Sequence, residues 1–230
     1  MLSFVVPAYN EEKYLAPTLE AIHAAARAVG EPYEVIVADD ASTDATVAVA
    51  EAGGARVVPV HKRQIAGTRN AGAAAARGDM LVFVDADTRV NEAVVRGALE
   101  ALRAGAVGGG AGVRFYDGPP WVHRHVAWIS ALFRWIRWAA GCFVFARRDA
   151  FDAVGGFDEQ FYASEEIHFS RAMKRQGRFL VLREHVTTSA RKAESHSRWA
   201  VAKMLFKMAL RGEKSVKSRE LTAFWYPDKR

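Results

Sequence analysis

Apolar residues come in short runs, separated by polar or Ala-rich stretches, through the first hundred positions. The runs at 2–6, 33–38, 56–60 and 80–84 have the length and the turn-residue boundaries of buried strands, the first expected to stop at Pro7. Between them, 16–29 (closed by Gly30), 46–52 (closed by Gly53 and Gly54) and 66–77 (closed by Gly78) carry apolar residues at helical spacing. Asn91 stands as the N-cap of a helix predicted to reach Arg103. Strand and helix therefore alternate to about residue 104, which predicts parallel βαβ units in an α/β sheet. Beyond that point the order changes. The Gly-rich run 108–112 predicts a flexible segment, 122–140 an aromatic-rich helix and 141–146 a strand. A helix is expected at 167–176, closed by Gly177, a strand at 179–182 and a helix at 199–210.

Sheets of this class bind ligands outside the carboxyl ends of their strands. Three of the four predicted strand ends carry polar groups: Tyr9-Asn10-Glu11, Asp39-Asp40 and Asp85-Ala86-Asp87. Two aspartates two residues apart at a strand end suit a hard divalent cation, Mg²⁺ or Mn²⁺, shared between carboxylates and substrate phosphates. The same Asp85-Ala86-Asp87-Thr88 also fits the nucleophile loop of haloacid-dehalogenase-like phosphatases, with Asp85 attacking phosphorus, although that loop belongs on a first strand and three predicted strands precede it here. Ser42, Thr43 and Asp44 read as caps of the next helix, whereas two adjacent aspartates before them exceed what capping needs.

Composition narrows the classes. The 230 residues are 50% hydrophobic and 25% charged, an ordinary globular balance for one domain with an appendage. The formal charge of +6 is not spread evenly. Residues 191–230 hold 11 Lys and Arg against 4 Asp and Glu, and the rest 21 against 22, so no uniform nucleic-acid surface is implied. Cys142 is the only cysteine, which rules out an internal disulfide. The opening residues lack the pattern of a signal peptide, and no apolar stretch of about 18 residues is present, so the expected location is cytoplasmic. Two segments, 121–140 and 192–219, mix Trp, Phe and Met with Arg and Lys. Either face at the inner surface of a membrane, or helices packed internally with solvated basic faces, would give that mixture. A dinucleotide-binding turn after the first strand and a Walker A loop are both missing.

Four blocks in register then resemble the family 2 glycosyltransferases of GT-A fold: 5–12 (Val-Val-Pro-Ala-Tyr-Asn-Glu-Glu), 35–46, 66–72 and 82–87. A fifth, 141–159, resembles that family's acceptor-side segment and is followed by Ser164-Glu165-Glu166. The resemblance covers about residues 1–182 and implies an inverting transferase using a nucleoside-diphosphate sugar. The expected fold is α/β: one GT-A-type domain with a mostly parallel central sheet flanked by helices, plus a basic helical C-terminal segment. It divides into a nucleotide-sugar half (1–104), an acceptor half (105–190) and an extension (191–230). Pro7, Tyr9 and Glu11 would line the nucleoside pocket, with Asp40 on the base and Asp39 beside it. Asp85 would face ribose or metal, and Asp87 would hold the metal on the diphosphate. Arg69 and Asn70 flank the nucleotide site or support the packing. The family's catalytic Glu-Asp pair corresponds to Glu165-Glu166, with Glu166 the favoured base and Glu165 the alternative. His185 is a further candidate metal ligand, although the family's late His aligns nearer Ser189. The implied acceptor is a lipid-linked or saccharide hydroxyl. A non-catalytic nucleotide-sugar-binding protein of the same fold is the other alternative.

Overall fold

In the computed structural model, which describes residues 1–117, 120–162 and 164–191, a single eight-stranded sheet runs through the molecule. The first half of the chain supplies β1 (Leu2–Ala8), α1 (Leu15–Val29), β2 (Tyr33–Asp39), α2 (Thr46–Ala52), β3 (Arg56–Pro59), α3 (Ile65–Ala75), β4 (Met80–Val84), β5 (Thr88–Arg89) and α4 (Glu92–Arg103). The second supplies β6 (Gly108–Phe115), α5 (Pro120–Ile136), β7 (Phe143–Arg147), α6 (Arg148–Ala153), α7 (Glu165–Gln176) and β8 (Phe179–Thr188). The strand order is β3-β2-β1-β4-β7-β6-β8-β5. The first four strands are parallel; β7 runs antiparallel to both β4 and β6, β6 and β8 are parallel, and β5 closes the far edge antiparallel to β8. The expected mostly parallel sheet is therefore mixed, because β7 enters beside β4 from the opposite direction.

Both faces of the sheet are covered at its centre, which is why β1, β2 and β4 are apolar along most of their length rather than alternating. Phe4, Val6, Val35, Val37 and Val82 point to one side, against Leu15, Leu19 and Ile22 of α1 and Val94, Val95 and Leu99 of α4. Val5, Leu81, Phe83 and Val144 point to the other, against Ala66 and Ala73 of α3, Phe151, Phe157, and Phe169 and Met173 of α7. The Asn91 cap is present: its side chain accepts a hydrogen bond from the Val94 amide at 3.0 Å.

Several expectations are corrected. β1 does not stop at Pro7 but continues to Ala8. Pairing with β4 covers only Leu2–Val5, so the missing proline N–H falls where that side of the strand no longer has a partner. The run at 108–112 is not a flexible segment; it forms most of β6, fully buried between β7 and β8. A Cβ at Gly108 would lie 2.6 Å from the Phe145 carbonyl, one at Gly110 2.7 Å from the Ala139 Cβ and one at Gly112 2.7 Å from the His185 ring. Glycine is needed there for close approach, and backbone pairing on both sides supplies the order. Ser42 and Thr43 do not cap α2, whose N-cap, Ala45, makes no side-chain cap bond. The helix expected at 199–210 and the basic extension from 192 onward lie outside the described residues.

α5 lies along β6, with Val126 against the core and Ser130 Oγ accepting a hydrogen bond from the Val113 amide at 3.2 Å. Its other face exposes Trp128 and Trp135, each 81% accessible, with Ile129 and Leu132 between them. No described helix is long and apolar enough to cross a membrane.

Candidate active site

The site is built where β1, β2 and β4 end. The loops after β1 and β2 hold each other. The Asn10 amide donates to Ser42 Oγ (2.9 Å) and the Glu11 amide to Thr46 Oγ1 (2.7 Å), while the Thr43 amide donates to Asn10 Oδ1 (2.8 Å) and the Ala45 amide to Glu12 Oε2 (3.0 Å). Asn10 itself sits at φ 53°, a left-handed conformation that asparagine tolerates well. The polar residues after β2 thus brace the neighbouring loop. Beneath them is a cleft of about 420 Å³, the open space at its mouth included, lined by Pro7, Tyr9, Glu11, Asp40, Asp85 and Asp87 together with Thr68 and Arg191.

Asp40 is buried and heavily engaged. Its Oδ1 accepts from the Lys62 and Arg63 amides (2.8 and 2.9 Å), and its Oδ2 from the Gln64 amide and the Thr68 hydroxyl (3.2 and 3.1 Å). The carboxylate therefore fixes the turn that leads into α3 while lining the cleft. Asp39 Oδ2 accepts from the Ser42 amide at 3.2 Å, whereas its Oδ1 is buried without a hydrogen-bond partner among the described residues. An unsatisfied buried oxygen at a strand end is a place where a ligand donor is stabilising.

Arg69 joins the first half of the chain to the second. This fully buried guanidinium donates Nη1 to Glu165 Oε1 (2.6 Å) and Nη2 to Asp85 Oδ1 (2.8 Å) and to the Gly141 carbonyl (2.8 Å), and it lies 5.3 Å from the Phe157 ring centroid. Its two carboxylate partners hold it protonated against the desolvation it suffers. Asn70 instead clamps the turn after α6, exchanging hydrogen bonds with the Phe157 amide and carbonyl at 2.9 and 2.8 Å. Of these two residues, Arg69 holds Asp85, which lines the cleft, without lining it itself, and Asn70 bonds the Phe157 backbone.

Glu165 and Glu166 begin α7 but occupy different environments. Glu165 is buried against Arg69. Glu166 faces Gly141, where an added Cβ would lie 3.6 Å from the Glu166 Cδ. Burial first, and the neighbouring Glu165 carboxylate second, push the Glu166 carboxyl up to about 8, against weaker opposing help from Arg69. The pair is thus split into a member tied to Arg69 and a half-buried member whose carboxyl is pushed up.

Asp87 is buried at the opposite wall. Thr188 Oγ1 donates to its Oδ1 at 3.3 Å, and Arg191 Nε lies 2.9 Å from its Oδ2. Arg191 also donates Nη2 to Glu11 Oε1 at 2.6 Å and lies 4.5 Å from the Tyr14 ring centroid. Asp117 anchors the segment that delivers it, accepting from Ser189 Oγ at 2.8 Å and from the Ala190 amide. Neither Arg191 nor Asp117 was singled out from the sequence, since Arg191 reads there only as the first cation of a basic stretch and nothing local ties it to Glu11, 180 positions away.

His185 does not join this group. Its ring packs at Gly112, its carbonyl accepts from Asn91 Nδ2, and burial followed by Arg114 and Arg134 lowers its basicity. Among the described residues no set of three or more His, Cys, Asp or Glu is arranged to hold a metal ion. The donor set that does converge, Asp85 and Asp87 with Glu11 nearby, fits a hard cation completed by phosphate oxygens rather than a closed protein cage.

Residues 3–157 match the family described as "Glycosyl transferase family 2". Among curated proteins, an undecaprenyl-phosphate 4-deoxy-4-formamido-L-arabinose transferase of Pseudomonas paraeruginosa is 36% identical over 94 residues, 38% of this chain and 28% of the relative. The enzyme of the same description from Shewanella sediminis is 37% identical over 93 residues, covering 37% and 28%. The match thus spans little more than a quarter of these relatives' length. Among solved structures, S. aureus TarS 1-349 superposes with a TM-score of 0.66 at 19% identity, covering 83% of this chain and 61% of that one. Mannosyltransferase PcManGT from Pyrobaculum calidifontis, in complex with GDP-Man and Mn²⁺, gives 0.63 at 21%, covering 91% and 64%. The structural likenesses show a GT-A fold, and the family match, which spans most of the described sheet, shows that the chain belongs to glycosyl transferase family 2.

Proposed function

We propose that the cleft binds a nucleoside-diphosphate sugar and that the chain transfers the sugar, with inversion, to an acceptor hydroxyl. The observation that carries this reading is the buried Arg69 bridge, which ties Asp85, at the wall of the cleft, to Glu165 and so to the Glu165–Glu166 pair. Pro7, Tyr9 and Glu11 form the wall for the nucleoside, with Asp40 on the base; Asp39 lies beside Asp40, behind the lining. Asp87, with Asp85 in support, would hold a divalent cation on the diphosphate. Such an ion, when bound, offsets the charge that builds on the leaving group. On the acceptor side Glu166 takes the hydroxyl proton as the oxygen attacks the anomeric carbon. The bond to the diphosphate breaks, and the diphosphate departs with its electron pair. Glu165, fixed by Arg69, positions its neighbour.

Support for the donor class comes from PcManGT, solved with GDP-Man and Mn²⁺, and from TarS, solved with UDP-GlcNAc. Family membership leaves the phosphatase alternative, with Asp85 as nucleophile, without support, and Asp85 Oδ1 is bound to Arg69 rather than presented for attack. A panel of nucleoside diphosphates with and without Mn²⁺ or Mg²⁺, read by thermal shift, tests the reading. Stabilisation that requires both components and disappears in Asp87→Ala is expected. No metal-dependent binding at millimolar nucleotide would defeat it, and would equally defeat the idea of a non-catalytic nucleotide-sugar-binding protein.

A second reading concerns the acceptor. The curated relatives are named for undecaprenyl phosphate, and α5 exposes Trp128, Ile129, Leu132 and Trp135 beside Arg134 and Arg137. An apolar stripe edged by cations suits the surface of an anionic bilayer. A lipid-linked phosphate acceptor and a peripheral place on the inner face of the membrane follow from that reading. A phosphate oxygen is already anionic, so this acceptor needs no proton taken by Glu166.

A further inference from the structure

Arg191 pairs with Asp87, the carboxylate on which the donor reading places a cation. Its guanidinium bridges Asp87 and Glu11 through Nε at 2.9 Å and Nη2 at 2.6 Å, and it is seated over Tyr14. The residues before it are tied down by Asp117, so the side chain is delivered to the cleft by a held segment. Asp85, Asp87 and Glu11 line the same small space, Asp85 paired with Arg69 and the other two bridged by Arg191.

We propose that Arg191 is an internal counter-ion of the donor cleft, one that bars a bare divalent cation from Asp87, so that metal and nucleoside diphosphate load together. The inference rests on the donor-site reading above. A lone Mn²⁺ must strip Asp87 from a charge-assisted pair and then leaves two positive charges side by side. A diphosphate changes the balance, because its oxygens give the displaced guanidinium a new partner while completing the metal's coordination. Metal and nucleotide are thereby coupled through Arg191 as well as through their direct contact.

The test uses the full chain, Mn²⁺ alone as the first probe, and the free-Mn²⁺ electron paramagnetic resonance signal as the readout. Arg191→Gln is expected to bind Mn²⁺ alone about fivefold or more tightly than the parent, the lower end of typical coupling between sites. With saturating UDP or GDP the difference should shrink or reverse, since the parent then recovers its guanidinium contact. Arg191→Lys keeps the charge but cannot span both carboxylates, and should fall between the two. Equal or weaker Mn²⁺ affinity in Arg191→Gln, alongside normal nucleotide-dependent uptake by the parent, overturns this inference and leaves the donor site standing. Absence of Mn²⁺ uptake by the parent even with nucleotide overturns both. If Arg191→Gln does not fold by circular dichroism, Arg191→Lys decides alone, and affinity unchanged from the parent is the overturning result.

Discussion

Glu165 and Glu166 are chemically identical neighbours made different by what surrounds them. Glu165 is paired with Arg69, whereas Glu166 is held up to about 8, chiefly by burial and then by the charge of Glu165. The sign of the consequence follows from linkage. An unfolded glutamate ionises near its ordinary value of 4.5, while the folded one keeps its proton to about 8. Across that window the unfolded chain binds fewer protons, so this group's contribution to stability falls as pH rises, and the deficit is complete above the folded value. Glu166→Gln should therefore raise the melting temperature relative to the parent at pH 9 and leave it nearly unchanged at pH 4. A base must be ionised to accept a proton, so activity toward a hydroxyl acceptor should climb with pH over the same range. Glu166→Gln should lower that activity by about 10²–10⁴-fold, the usual worth of general-base catalysis. If the acceptor is instead a phosphate, the variant should keep most of its rate, and kinetics on the two acceptor classes separate the readings.

At the scale of elements, β6 is the strand that composition hides. Its glycines let β7 and β8 close on either side and let Ala139 approach from the turn that leads to Gly141, the residue beside Glu166 and Arg69. Gly110→Ala would place a methyl group 2.7 Å from the Ala139 Cβ and 2.9 Å from its Cα, with no flexible side chain to yield. Overpacking of that kind costs about 1–3 kcal/mol. The expected result is a lower urea midpoint with an unchanged m-value, accompanied by weaker turnover as the 139–143 segment shifts. A midpoint equal to the parent's would mean the strand is not packed as described.

For the molecule as a whole, Arg69 matters most. It belongs to α3 in the first half of the chain, and it binds Asp85 from that half and Glu165 and Gly141 from the second. Removing one member of a buried ionic cluster leaves the others uncompensated, at a cost of about 3–5 kcal/mol. Arg69→Met should show a loss of that size in chemical denaturation, and Arg69→Lys a smaller one, because an ammonium keeps the charge but not the planar fork. A loss under about 1 kcal/mol in Arg69→Met, the range of surface pairs, would refute the bridge.

Much of this protein could be read without coordinates, and the part that could not has a common cause. The alternation of 2–6, 33–38 and 80–84 with helical stretches settles β1, β2 and β4 because a strand buried on both faces must be apolar along most of its length, a local requirement. The polar residues at those strand ends mark the cleft for the same reason, since parallel strands present their carboxyl ends together. Four things were decided only by folding. β6 is a strand because its neighbours close on bare backbone. Pro7 is tolerated because pairing with β4 has already ended. His185 is carried away from the aspartates by its place on β8, and Arg191 is brought to Glu11 and Asp87. Each depends on which distant segment lies alongside. Local periodicity and motif spacing record the needs of one element; the partner of a glycine, a histidine or an arginine is set by the topology that brings β8 back to the cleft.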